Sequence, residues 1–114
     1  MTKTRNYNHI KMRKAKVYNF GEYAGDLLEI EKGKNYKFIY DEEYNGAPIS
    51  LTMPLGNKEY TFDRFPPFFE GLLPEGIQLE ALVRQTKTDR NDFFSLLMIT
   101  GKDLVGSVTV EEKL

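Results

Sequence analysis

The sequence predicts an α+β domain: a small antiparallel β-sheet or partial barrel, then two or three helices, then a closing C-terminal strand. Three observations carry this. Apolar and polar residues alternate over short runs between Arg13 and Phe62. From Pro66 onward, apolar residues recur at three- and four-residue spacing. The last run, LVGSVTV (104–110), returns to β-branched residues after Gly101.

Residues 1–12 read as a flexible basic tail. Lys3, Arg5, Lys11, Arg13, Lys14 and Lys16 all precede the first acid, Glu22. Residues 13–114 read as one domain. KAKVYNF (14–20) is a first strand, with Ala15 and Val17 on one face and Lys16, Tyr18 and Phe20 on the other. Gly21 and Gly25 bracket a turn. LLEIE (27–31) and YKFIYD (36–41) form a hairpin across the turn GKN (33–35). EEYNGAP (42–48) is loop chemistry. ISLTM (49–53) is a short strand stopped by Pro54. Gly56-Asn57 makes a further turn, and YTF (60–62) is a short extended piece.

The helical part begins at Pro66-Pro67, which suit a first helical turn, where missing N–H groups cost little. The following proline holds Phe65 extended. Phe68 and Leu72, and Phe69 and Leu73, lie four apart, and Gly71 keeps this helix short. Pro74-Glu75 restarts a helix, with the carboxylate near its positive end. Leu79, Leu82 and Val83 form its apolar stripe, and Glu80, Arg84 and Gln85 face outward. Asp89 or Asn91 caps a third helix. Phe93, Phe94, Leu96 and Leu97 face inward from it, and Gly101 ends it.

Composition narrows the function. At 114 residues, 40% hydrophobic and 29% charged, the chain is an ordinary globular domain. A formal net charge of −1 provides no overall field for nucleic acid. There is no cysteine, and no apolar run suits a secretory signal or a membrane span, so a cytoplasmic protein is expected. The one histidine, His9, lies in the tail. A zinc site would therefore need a mostly carboxylate shell. A Ser–His–acid triad would have to join His9 to Ser50, Ser95 or Ser107, and no spacing suggests it. Neither phosphate-binding glycine pattern occurs. Glu42-Glu43 and Glu111-Glu112 read as solvated pairs. The expectation is a non-enzyme with no cofactor and no metal.

Two binding readings remain. Tyr36, Phe38 and Tyr40, with Lys32, Lys34, Lys37 and the basic tail, would make a base-stacking platform for single-stranded nucleic acid. Against this, alternating aromatics are the ordinary pattern of a half-buried strand. The other reading starts from FDRFPPFFEGLLPEG (62–76), which holds four of the eight Phe and three of the five Pro. Asp63, Arg64, Phe65, Pro66 and Pro67 form a partner-binding loop there. Phe65, stiffened by two prolines, is its low-entropy anchor, and Arg64 adds a charge-assisted contact. On this reading Phe65→Ala weakens binding without unfolding the domain.

FPPFFEGLLPEG (65–76) resembles the F-x-N-L-L-P-E-G signature early in HipA-like kinases, the toxin kinases of bacterial toxin–antitoxin systems. Further matches follow in order: Gly25 and Leu27; Tyr36, Phe38, Tyr40 and Tyr44; Ile49-Ser50-Leu51 and Pro54-Leu55. After the signature come Asp92-Phe93, Leu96-Leu97, Gly101-Lys102-Asp103 and Gly106-Ser107-Val108. The resemblance covers residues 13–112. Gly71 stands where the family has Asn, and the family's nucleotide site and catalytic loop have no counterpart in these 114 residues. The chain thus resembles the kinase N-terminal subdomain made as a separate protein. In tripartite HipBST-type systems a short kinase, HipT, lacks this subdomain, and a small protein, HipS, is similar to it. The resemblance implies a HipS-like partner and antitoxin of a HipA-like kinase toxin. A HipB-like DNA-binding protein would be a third component. A scaffolding or activating subunit of the kinase is the alternative.

Overall fold

The computed structural model describes residues 12–104 and 106–113. The basic tail expected over 1–12 lies, apart from Met12, outside them. Five strands form one antiparallel sheet: β1 (Arg13–Asn19), β2 (Glu22–Glu31), β3 (Lys34–Tyr40), β4 (Glu59–Phe62) and β5 (Val108–Glu112), in the order β4-β3-β2-β1-β5. The helices α1 (Pro67–Glu70), α2 (Gly76–Thr86) and α3 (Phe93–Thr100) come between β4 and β5. The architecture is α+β with an open sheet, not a closed barrel.

Side-chain alternation decides which face is buried. Ala15 and Val17 of β1, Leu27 of β2, Tyr36, Phe38 and Tyr40 of β3, and Val108 and Val110 of β5 all point into one core. Phe65, Phe69, Leu73, Phe94, Leu96 and Leu97 cover them from the helical side. Tyr36, Phe38 and Tyr40 are 3%, 0% and 1% exposed, so this aromatic row is core and offers no surface for stacking bases.

Several boundaries differ from the sequence expectation, each for a local reason. The β1–β2 turn is Phe20-Gly21, with φ of 53° and 81°, so Phe20 leaves the strand and is 80% exposed. Gly25 is not a turn residue; it lies inside β2, paired with Val17 and Tyr40. A Cβ there would overlap the Ile39 carbonyl and sit 2.9 Å from Tyr40 Cα, so glycine is what lets β3 approach. Residues 49–53 are a turn, not a strand. The Ser50 hydroxyl accepts from Thr52 N–H (3.2 Å), Met53 N–H reaches the Ser50 carbonyl (3.0 Å), and Leu51 is left 96% exposed. The Tyr40 hydroxyl fixes both ends of this turn, accepting from Ile49 N–H (3.0 Å) and donating to the Met53 carbonyl (2.6 Å).

The helices are also shorter or shifted. α1 is a single turn, and Leu72 and Leu73 fall in the tight bend after it. Asp92, not Asp89 or Asn91, caps α3, accepting from Ser95 N–H (3.2 Å) and the Ser95 hydroxyl (2.7 Å). Asp89 instead holds the preceding turn through Asn91 N–H (2.8 Å). The closing strand starts at Val108, four residues later than the run LVGSVTV suggests.

Candidate functional site

The expected partner-binding loop follows β4. The Asp63 carbonyl accepts from Asn35 N–H at 3.1 Å, which ties the loop to the start of β3. Asp63, Arg64 and Pro67 are exposed, but Phe65 and Pro66 are buried. Phe65 is 5% exposed and packs edge-on against Tyr36 (5.3 Å, 88°) and tilted against Phe93 (5.5 Å, 59°). The proline-stiffened backbone is as expected, but it aims the ring inward. A stiff X-Pro-Pro segment has no say over which side of the chain the core lies on. Phe65 therefore anchors the loop to its own domain, and Asp63, Arg64 and Pro67 are left at the surface.

Beneath Phe65 lies a charged network that sequence reading missed. Glu29 is 1% exposed. It accepts from Arg13 Nε (2.6 Å), the Tyr36 hydroxyl (2.9 Å) and Gly33 N–H (3.2 Å). Arg13 also reaches Asp92 (2.9 Å) and the Ser95 hydroxyl (2.9 Å), and its guanidinium lies 4.8 Å over the Phe94 ring. Burial opposes the charge on Arg13 and on Asp92. Their mutual hydrogen bonds, with those from Glu29 and Ser95, outweigh it, raising the pKa of Arg13 and lowering that of Asp92. Burial first, then the bond to Glu29, raises the Tyr36 phenol. The arrangement ties β1, β2 and β3 to the cap of α3. The Ser95 hydroxyl donates to Asp92 and accepts from Arg13, so it is part of this brace. Among the described residues no three His, Cys, Asp or Glu side chains converge on a point that could hold a metal ion.

Next to the loop is a cleft of about 560 Å³ between α1, the bend over residues 71–75, α2 and the start of α3. Leu73, Leu79, Phe93 and Leu96 line its apolar part, and Glu70 and Glu75 stand at its edge. Of the exposed large apolar side chains, Ile77 lies on α2 and Ile99 on α3, while Phe20 and Leu51 lie at the opposite end of the sheet. There the Asn19 side chain joins the β1–β2 turn to the 41–58 loop through Tyr44 and Ala47 (both 3.1 Å).

Three comparisons bear on this geometry. The pattern of the HipA N-terminal domain family matches residues 15–111. An uncharacterized protein of Haemophilus influenzae is 31% identical over 102 residues, which cover 90% of this chain and 94% of that one. A Sinorhizobium fredii protein named "Putative kinase Y4dM" is 33% identical over 100 residues, 80% of this chain but only 24% of its own length. Among solved structures, one described as the N-terminal domain of HipA toxin superposes with a TM-score of 0.70 at 27% identity, covering 90% of this chain and 93% of that one.

Proposed function

Since the chain belongs to the HipA N-terminal domain family, we propose that it is a non-catalytic, cytoplasmic antitoxin that binds and neutralises a HipA-like serine/threonine kinase, a HipT-type toxin. The observation that carries this is the two settings in which the domain occurs among its relatives. It fills 94% of the small Haemophilus influenzae protein and 24% of the longer protein named as a kinase. A domain found both alone and inside a longer chain keeps a surface made to lie against the rest of that chain. As a separate subunit it would offer that surface in trans. A HipB-like DNA-binding protein is the further component of such a complex.

The inhibitory step we favour uses the loop after β4. Phe65 and Pro66 are fixed in the core, so Asp63, Arg64 and Pro67 are displayed on backbone that has little entropy left to lose. Set against the kinase nucleotide cleft or its phosphate-covering loop, they would block the closure that phosphoryl transfer needs.

The test is autophosphorylation of a HipA-like kinase that lacks this domain, with and without an equimolar amount of the protein. Co-elution on gel filtration together with lost phosphorylation supports the proposal. Co-elution with unchanged or raised phosphorylation makes the chain a scaffolding or activating subunit. Failure to co-elute overturns kinase binding.

A further inference from the structure

The helix α2 is incompletely packed. None of its 11 residues is buried, and the stripe Leu79, Leu82 and Val83 is only half-covered. A helix of this length is marginal in water without packing. The cleft beside it, about 560 Å³, is of the size that receives ligands or partner side chains. Its floor is apolar, and Gly71 on its wall contributes no side chain. Its polar lining residues, Glu70, Glu75, Arg90 and Asn91, are all exposed. No buried hydrogen-bonding side chain is aimed inward to select a polar small molecule. Charge at the mouth is one-sided. Arg90 is held by the Glu80 carboxylate through two hydrogen bonds. Glu70 and Glu75 form no ion pair among the described residues. An apolar floor under an uncompensated acidic mouth is complementary to an apolar side chain flanked by cations.

We propose that this cleft receives an apolar side chain from a lysine- or arginine-flanked segment of the kinase partner, and that its docking completes the packing of α2. The inference rests on the kinase-binding reading above and adds to it the surface and the chemistry of the segment.

Two variants test it. Gly71 has an ordinary helical φ of −65°, and an added Cβ meets its nearest neighbours, the Phe68 and Pro67 carbonyl oxygens, at 3.5 Å. Gly71→Leu is therefore accommodated by the fold and occupies the cleft. The double variant Glu70→Lys/Glu75→Lys reverses the mouth at two exposed positions. Leu51→Ser, at the other end of the sheet, is the control. The affinity of the full chain for the purified kinase is measured by calorimetry at low and high salt, with circular dichroism confirming the fold of each variant. Gly71→Leu should weaken binding at least about tenfold, the scale of one lost buried leucine-sized contact. The charge reversal should weaken it by about tenfold at low salt and by less at high salt. Hydrogen exchange over residues 76–86 should slow in the complex. If Gly71→Leu fails to fold, the charge reversal and the exchange data decide. Wild-type affinity in both variants, or loss confined to Leu51→Ser, overturns the cleft assignment alone. A wild-type chain that does not bind the kinase overturns the kinase-binding reading and this inference with it.

Discussion

Replacing Phe65 with alanine should destabilise the domain itself. The ring is 5% exposed and makes aromatic contacts with Tyr36 and Phe93 at 5.3 and 5.5 Å. Removing a buried phenylalanine costs about 3–5 kcal/mol through lost transfer energy and the cavity left behind. Each aromatic pair adds about 0.5–1.5 kcal/mol within that total. A domain of this size is stable by roughly 5–15 kcal/mol, so the loss is a large fraction of the whole. It should lower Tm by roughly 10–25 °C, taking about 3–5 °C per kcal/mol for this chain length. Urea unfolding followed by circular dichroism gives the number directly, and Arg64→Ala is the control. Arg64 is exposed in the same loop, and its loss should change stability by no more than about 0.5 kcal/mol. A Phe65→Ala change below about 1 kcal/mol would refute the core assignment, since alanine scanning of a surface residue behaves that way. Functional tests of this loop belong at Asp63 and Arg64, where binding and folding separate.

Three further outcomes are expected. Arg13→Met leaves the Glu29 carboxylate buried with only Tyr36 and Gly33 as donors; it should cost about 3 kcal/mol or more by urea unfolding, and Arg13→Met/Glu29→Leu should recover part of that. Asp92 has a lowered pKa in the folded state. Its contribution is therefore complete above the ordinary carboxylate range, about pH 4, and is lost as pH falls through the lowered value. Wild type should lose stability between about pH 5 and pH 2 more steeply than Asp92→Asn, and equal slopes would contradict the network. Gly25→Ala should cost more than about 2 kcal/mol, because the clash is with the backbone of β3, which cannot rotate away; a variant with the wild-type urea midpoint would show that the strands can separate there.

Much of the fold was legible because strand alternation is a local signal. β1, β3 and the β2–β3 hairpin follow from it, as does the stripe Leu79, Leu82, Val83 on α2. The failures share a cause. Gly25 reads locally as a turn, and its reason lies on another strand. ISLTM alternates like a strand, yet the Ser50 side chain and the distant Tyr40 phenol hold it as a turn. The prolines make the stiffness of residues 65–67 legible, but the direction of Phe65 depends on Tyr36 and Phe93, nearly thirty residues away on either side. The brace of Arg13, Glu29 and Asp92 joins residues 16 and 79 positions apart and leaves no local pattern at all. Glu70 and Glu75 are near neighbours in sequence, but the cleft they overlook was invisible for the same reason, since Phe93 and Leu96 of α3 join its floor only after folding.

The pairing of β1 with β5 has a consequence for synthesis. β1 is made before the other described strands and lies inside the sheet, yet one of its two neighbours is β5, made after them. Until residues near Lys113 emerge, and Lys113 N–H reaches the Lys14 carbonyl, the backbone edge of β1 is open and Val17 lacks its partner Val110. A nascent chain stalled anywhere short of β5 therefore carries an unpaired, apolar strand edge, the feature that quality-control chaperones bind and that nucleates aggregation. Closure of the sheet therefore waits for β5, so translation products of this domain that stop short of it should be cleared and not accumulate.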